Sequence, residues 1–281
     1  MSLRLACAGG RAVLCVGDRR VDLERASGGR FGSDPMQALA HWDALRDWAA
    51  AVDTDGGEPL DARALGPCVP RPAKVFAIGL NYRAHAAEAG LEIPKQPMVF
   101  TKFPSCLVGP RADVPLTSER VDYEVELVAA IGLGGRRIAE SRALEHVAGY
   151  CVGQDVSDRA LQFADRPPQF SLGKSADGYG PIGPAVVSLD AFDDPDDLEL
   201  WCEVSGERLQ HDRTRDMIFP VAELVAYLSR FCTLEPGDLV FTGTPAGVGS
   251  VRSPRRYLVV GDEIRSGIDG IGELHNRCTA G

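Results

Sequence analysis

Asp122-Tyr123-Glu124-Val125-Glu126-Leu127-Val128-Ala129-Ala130-Ile131-Gly132 is an apolar run broken by two glutamates one residue apart. The segment is rich in strand formers and alternates, which predicts a strand with successive side chains on opposite faces. Both carboxylates then project from one face, roughly 6–7 Å apart at the rise of an extended chain. Tyr123, Val125 and Leu127 cover the other face. Two like charges on one half-buried face are costly unless something positive lies between them. The plain alternative is a strand edge with both glutamates in water. A third acid weighs against it: Asp155 ends the apolar run Gly149-Tyr150-Cys151-Val152-Gly153-Gln154 and enters a predicted helix. Three carboxylates with no Cys or His beside them describe a hard-cation site, Mg²⁺ or Mn²⁺ before Ca²⁺ and zinc last.

Outward from this core, strands are predicted at Pro97 to Phe103, Pro184 to Ser188, Leu198 to Ser205, Asp238 to Thr242 and Glu263 to Ile268, with a hairpin turn at Ser205-Gly206. A helix is predicted over Met217 to Arg230, with Val221, Leu224, Val225 and Leu228 on its apolar face. Residues 35–52 carry a second helical pattern. Gly66-Pro67-Cys68-Val69-Pro70-Arg71-Pro72 reads as a linker, so a small N-terminal domain at 1–70 is expected to precede a main domain at 71–281.

The chain has 281 residues, 44% of them hydrophobic and 25% charged, which suits a soluble globular protein. Its formal charge of −10 argues against nucleic acid or an anionic membrane as partner. Arg252, Arg255 and Arg256 form one dense basic cluster, read as a solvated loop. No apolar run approaches the ~18 residues of a membrane helix, and the N-terminus lacks a secretory core, so a cytoplasmic location is expected. The 8 cysteines contain no C-x-x-C pair and read as reduced structural thiols, those in apolar runs (Cys151, Cys202, Cys232) as core residues.

Several blocks in order resemble the fumarylacetoacetate hydrolase superfamily. They are Ala77 to His85, Asp122 to Gly132, Gly149 to Gln162, Gly173-Lys174-Ser175, Pro181 to Pro184, Thr242 to Gly249 and the closing Gly261-Asp262-Glu263 and Gly270-Ile271-Gly272. The resemblance implies an α+β, β-rich fold: a catalytic domain of mixed sheets with flanking helices, in a homodimer. It also implies a divalent metal on Glu124, Glu126 and Asp155, and chemistry on 2-oxo acids or 1,3-dicarbonyls. Four departures stand out: Gln154 for a common Asn, Asp158 for Ala, Ala176 for Phe, and Gly178-Tyr179-Gly180 for the usual Thr-Phe. Substrate selection is expected to depend on Ala176, Gly178 and Tyr179, small residues there enlarging the end of the pocket opposite the metal.

A 2-oxo acid offers a carboxylate and a ketone oxygen that together chelate one Mg²⁺ (Mn²⁺ or Ca²⁺ as alternatives), which serves as Lewis acid and template for breaking the neighbouring C–C bond. Hydrolysis also needs a base for the attacking water. His85 and Glu88, three apart on a predicted short helix that could close as a lid, fit that role. Lys174 is assigned to oxyanion or carboxylate stabilisation. Arg159, Gln162, Thr244, Asn81 and Tyr82 are expected at the substrate. The leading expectation is hydrolysis of a 2,4-dioxo acid of acylpyruvate, fumarylpyruvate or diketo-deoxy-sugar acid type. Decarboxylation or isomerisation of an oxaloacetate-like acid is the alternative.

Overall fold

In the computed structural model, which describes residues 2–52 and 57–281, Val125–Ile131 is a strand buried along its whole length. It is central because it is paired on both edges, antiparallel to Val147–Gln154 on one side and to Leu239–Phe241 on the other. Both of its faces are therefore covered, which is why the run is continuously apolar rather than alternating with exposed polar residues. Beyond Val147–Gln154 the sheet continues through Gly180–Ser188, Arg4–Ala8, Arg11–Val16, Arg19–Asp22 and Glu58–Pro59. Beyond Leu239–Phe241 it continues through the parallel strand Val75–Gly79 to Met98–Thr101.

A second sheet orders Glu207–Arg213, Glu199–Val204, Glu263–Ile268, Gly272–Ala280 and Val114–Leu116. Its first hairpin turns at Ser205 and Gly206, both at positive φ (51° and 87°), the backbone a tight two-residue turn needs. The helix Val221–Phe231 buries Val221, Leu224, Val225 and Leu228, the face its periodicity predicts. The architecture is the mixed, sheet-rich α+β fold the resemblance implies.

Three details differ from the sequence reading. The predicted strand from Tyr123 to Gly132 splits, because Tyr123 and Glu124 leave the ladder between Val121–Asp122 and Val125–Ile131. The helical pattern at 35–52 is two helices, Pro35–Ala40 and Trp42–Ala49, broken at His41 (φ −118°, ψ 33°). Cys232 is exposed, since it lies just past the end of Val221–Phe231. The first seventy residues share the main sheet, Arg4 standing opposite Val187. They also share its core, where Leu5, Leu39 and Trp42 join Val128 and Val187.

Candidate active site

Where the ladder breaks, Gln154 takes over from backbone pairing. Its side-chain oxygen accepts from Glu124 N at 2.9 Å, and its amide donates to Ser266 Oγ at 2.7 Å. Asp155 N donates to Glu124 O at 2.9 Å. This crossing brings Glu124, Glu126 and Asp155 together, with one carboxylate oxygen of each within 4.8 Å of the others, and all three buried. The departure at Gln154 is therefore a positioning element for the acids.

Cations surround two of the three. Lys174 Nζ donates to Glu124 Oε2 at 2.8 Å, Asp155 Oδ2 at 2.7 Å and Ser157 Oγ at 2.7 Å. Lys102, itself buried, donates to Asp155 Oδ1 at 2.7 Å and to the Lys174 carbonyl. Arg159 pairs with Glu124 and with Asp122. Burial pushes the Glu124 carboxyl up, but Lys174 and Arg159 outweigh it and hold it at about 2. Among the described residues Glu126 has one hydrogen bond, from Gly243 N at 2.8 Å, and no cation partner. Burial, then the neighbouring Asp155 and Glu124, push its carboxyl well above the usual range. An all-oxygen donor set with one cation-starved buried member fits a hard divalent ion.

A cavity of about 450 Å³ opens beside these acids, and Glu124, Arg159, Gln162, Lys174, Thr244 and His85 line it. His85 lies on the helix Arg83–Glu88, where the i,i+3 spacing brings its Nδ1 to 2.7 Å from Glu88 Oε1. Glu88 is anchored in turn, its Oε2 accepting from Gly247 N at 2.9 Å. With Nδ1 donating to Glu88, Nε2 is left as a proton acceptor. Opposite lies an aromatic wall: Phe170 stands 5.6 Å from Phe100 and 6.3 Å from Phe163, ring centre to ring centre.

Residues 74–279 match the fumarylacetoacetate (FAA) hydrolase C-terminal family. The chain belongs to this family. A Mycobacterium smegmatis protein provisionally named HpcE is similar at 50% identity, covering 99% of each chain with a TM-score of 0.93. Maleylpyruvate hydrolase from Sphingobium sp. SYK-6, solved with manganese(II) and pyruvate, is similar at 30% identity over 99% of each chain, TM-score 0.82. Fumarylpyruvate hydrolase from Pseudomonas aeruginosa, solved with Mn²⁺ and pyruvate, is similar at 36% identity over 81% of this chain and 93% of that one, TM-score 0.67. The protein is thus an enzyme of the fumarylacetoacetate hydrolase family, and its relatives make a divalent metal part of the enzyme class.

Not every residue expected at the substrate reaches the cavity of this family member. Asn81 is fully buried and spent on backbone: its amide donates to Phe219 O at 3.0 Å and Thr242 O at 2.7 Å, and its oxygen accepts from Phe219 N at 2.9 Å. Tyr82 is also fully buried, its hydroxyl without a partner among the described residues, and it does not line the cavity. Both are framework residues. Thr244 lines the cavity, but its hydroxyl hydrogen goes to Val125 O at 2.9 Å, so it can only accept there. Lys174 spends its three hydrogens on Glu124, Asp155 and Ser157, which makes it an organiser of the acids rather than a free oxyanion donor. Gln162 lines the cavity with its oxygen bound by Arg159 at 2.8 Å.

The departures near Lys174 point elsewhere too. Tyr179 is buried against Thr117 Oγ1 at 2.6 Å, Gly178 sits at φ +85° against Pro115, and Ala176 packs on the main core. None lines the cavity, so the expected pocket enlargement does not arise from them.

Two further residues support the acids and were not singled out from the sequence. Lys102 is a single lysine after a strand, with nothing in its neighbours to mark it as buried against Asp155. Asp122 accepts from Gly249 N at 2.7 Å, Ser250 N at 3.0 Å and Arg159 Nε at 2.9 Å, tying the loop after Gly247 to the acid centre. Its signal was its place two residues before Glu124, within the same quoted run.

Proposed function

We propose that this enzyme is a Mg²⁺- or Mn²⁺-dependent hydrolase that splits a 2,4-dioxo acid between C3 and the C4 carbonyl, giving pyruvate and a carboxylic acid. The observation that carries the reading is the shared wall: His85, oriented by Glu88, and Glu124, one of the three clustered acids, line one cavity. Glu124, Glu126 and Asp155 would hold the ion. Bound there, it supplies Lewis-acid polarisation of the 2-oxo acid end.

The chain's own residues do the rest. His85 Nε2 takes a proton from water as the water oxygen adds to C4, and Glu88 keeps the imidazole oriented and stabilises its charge. When the C3–C4 bond breaks, its electron pair goes to C3, and the proton held by His85 is delivered there. The C4 fragment leaves as the carboxylic acid, which ionises. Lys174, Lys102 and Arg159 hold the acids in place throughout. Ala89 and Leu91 line the cavity next to His85, so the lid role read for the 83–88 helix belongs to this proposal. Phe100, Phe163 and Phe170 keep water off the chain of the substrate.

The test is a parallel assay of acetylpyruvate, fumarylpyruvate and oxaloacetate with Mg²⁺ and with Mn²⁺. Pyruvate should form from the acylpyruvates, and His85→Ala should lower that turnover by roughly 10²–10⁴-fold with metal still bound. Decarboxylation of oxaloacetate without acylpyruvate cleavage would replace hydrolysis by the lyase chemistry. A His85→Ala enzyme with nearly full activity would reduce the dyad to a surface pair.

A further inference from the structure

Four cations line the cavity, Arg120, Arg159, Lys174 and Arg255, against the single carboxylate of Glu124. That is an inversion of sign in a chain of formal charge −10. Arg159 and Lys174 are committed to buried acids. Arg120 and Arg255 are exposed, and neither guanidinium has a hydrogen-bond or ion-pair partner among the described residues. In the basic cluster read as a solvated loop, Arg256 is paired with Asp262 at 2.9 Å and Arg252 reaches Glu207 at 3.8 Å. Arg255 alone of the three lines the cavity.

The two free arginines ride on one frame. Leu258 N donates to Val121 O at 2.8 Å, and Arg159 N donates to Arg120 O at 2.9 Å. Gly249 and Ser250 are tied to Asp122. The segments carrying Arg120 and Arg255 are therefore fixed to each other and to the acid centre. The lining also includes Met98, Phe100, Phe163 and Phe170, which offer no partner for hydroxyl groups along a substrate chain.

We propose that Arg120 and Arg255 bind a second carboxylate at the far end of the acyl chain, so that the substrate is a 2,4-dioxo dicarboxylate. The inference rests on the 2-oxo acid reading above and narrows it. A polyhydroxylated sugar acid would set hydroxyls against the aromatic wall of Phe100, Phe163 and Phe170, and a short monoacid would leave both guanidiniums unused. Arginine forks suit a carboxylate, since two parallel N–H bonds can form at once.

Calorimetric titration with two inert probes, with Mn²⁺ present, tests this. 2-Oxoadipate carries a distal carboxylate, and 2-oxohexanoate is its monoacid counterpart and the reference for every variant. The parent should bind 2-oxoadipate more tightly by at least about tenfold, the order expected of charge-assisted bonds at a partly open mouth. Arg120→Gln and Arg255→Gln should each remove most of that preference, and the double variant should bring the ratio near one. Raising the salt concentration should shrink the preference in the parent only. Equal binding of the two probes by the parent overturns the proposal, as does a preference that survives in the double variant. Absence of 2-oxohexanoate binding by the parent with Mn²⁺ would instead remove the 2-oxo acid reading, and the inference with it.

Discussion

Asp122 and Glu126 lie four residues apart, both buried carboxylates, and their surroundings are opposite. Asp122 accepts backbone N–H groups from Tyr123, Gly249 and Ser250 as well as the Arg159 guanidinium. Asp158 is equally well supplied, by Ser118, Thr117, Ala160 and Leu161. Among the described residues Glu126 has Gly243 N alone. A buried acid whose lone pairs are all satisfied serves the frame; one left short of donors and cations is waiting for a ligand. The fold supports the second kind with the first, since the Asp122 bonds hold Arg159, which in turn holds Glu124.

The contrast can be broken most directly at the centre. Glu124→Ala and Glu126→Ala should bring bound Mn²⁺ and activity below detection. The melting temperature of the metal-free protein should stay within a few degrees or rise in Glu126→Ala and fall in Glu124→Ala, which strands Lys174 and Arg159. Elemental analysis with calorimetric melting checks this. A metal-replete, active Glu126→Ala enzyme would remove the ion from these acids.

At the frame the effect should move from function to stability. Asp122→Ala orphans buried N–H groups and leaves Arg159 short of a partner, a loss of about 3–5 kcal/mol. At roughly 2–4 °C per kcal/mol for a chain of this size class, the melting point should drop by about 10 °C. Asp158→Ala removes the cap of the helix Arg159–Gln162 and two hydroxyl partners, so a smaller loss of about 1–2 kcal/mol is expected. If Asp158→Ala proves worse than Asp122→Ala, the stranded charge of Arg159 is not what makes Asp122 the costlier loss.

The smallest effect is the most diagnostic. Burial, Asp155 and Glu124 push Glu126 up from its ordinary 4.5, so ion binding there is expected to displace a proton. Mn²⁺ affinity should therefore increase with pH, with proton release visible as a difference in binding heat between two buffers. The stability signs follow. Glu126 favours the metal-free fold at low pH, a contribution lost as the pH rises through its raised value. Glu124, held at about 2, favours the fold above its ordinary 4.5, a contribution lost as the pH falls toward 2. Metal binding without proton uptake or release would show Glu126 to be ionised already.

The acid centre was legible because period-two alternation and a third acid at the end of a neighbouring apolar run are local signals. The His85–Glu88 contact was legible for the same reason, i,i+3 spacing on a short helix. Lys102 was not, because its partner Asp155 comes from a distant strand. Asn81 and Tyr82 misled because proximity in the chain to His85 says nothing of direction: the strand before them ends at Gly79 and both side chains turn into the framework. Ala176 and Tyr179 misled in the same way. Lys174 caps a helical turn that ends at Gly173, and the chain reverses at Gly178 before entering the strand Gly180–Ser188.

The seam between the first strand and the main sheet has a consequence for how the chain is made. Leu3 N donates to Ser188 Oγ, a partner 185 residues further along. During synthesis the opening hairpin, Arg4–Ala8 with Arg11–Val16, leaves the ribosome with its outer edge unpaired until two thirds of the protein has been translated. Such an edge is an invitation to wrong partners. A fragment starting near residue 74 would meet the mirror problem, with Gly180–Ser188 stripped of its neighbour. Supplied as a separate peptide, the first seventy residues should dock back onto that bared strand and keep the fragment in solution.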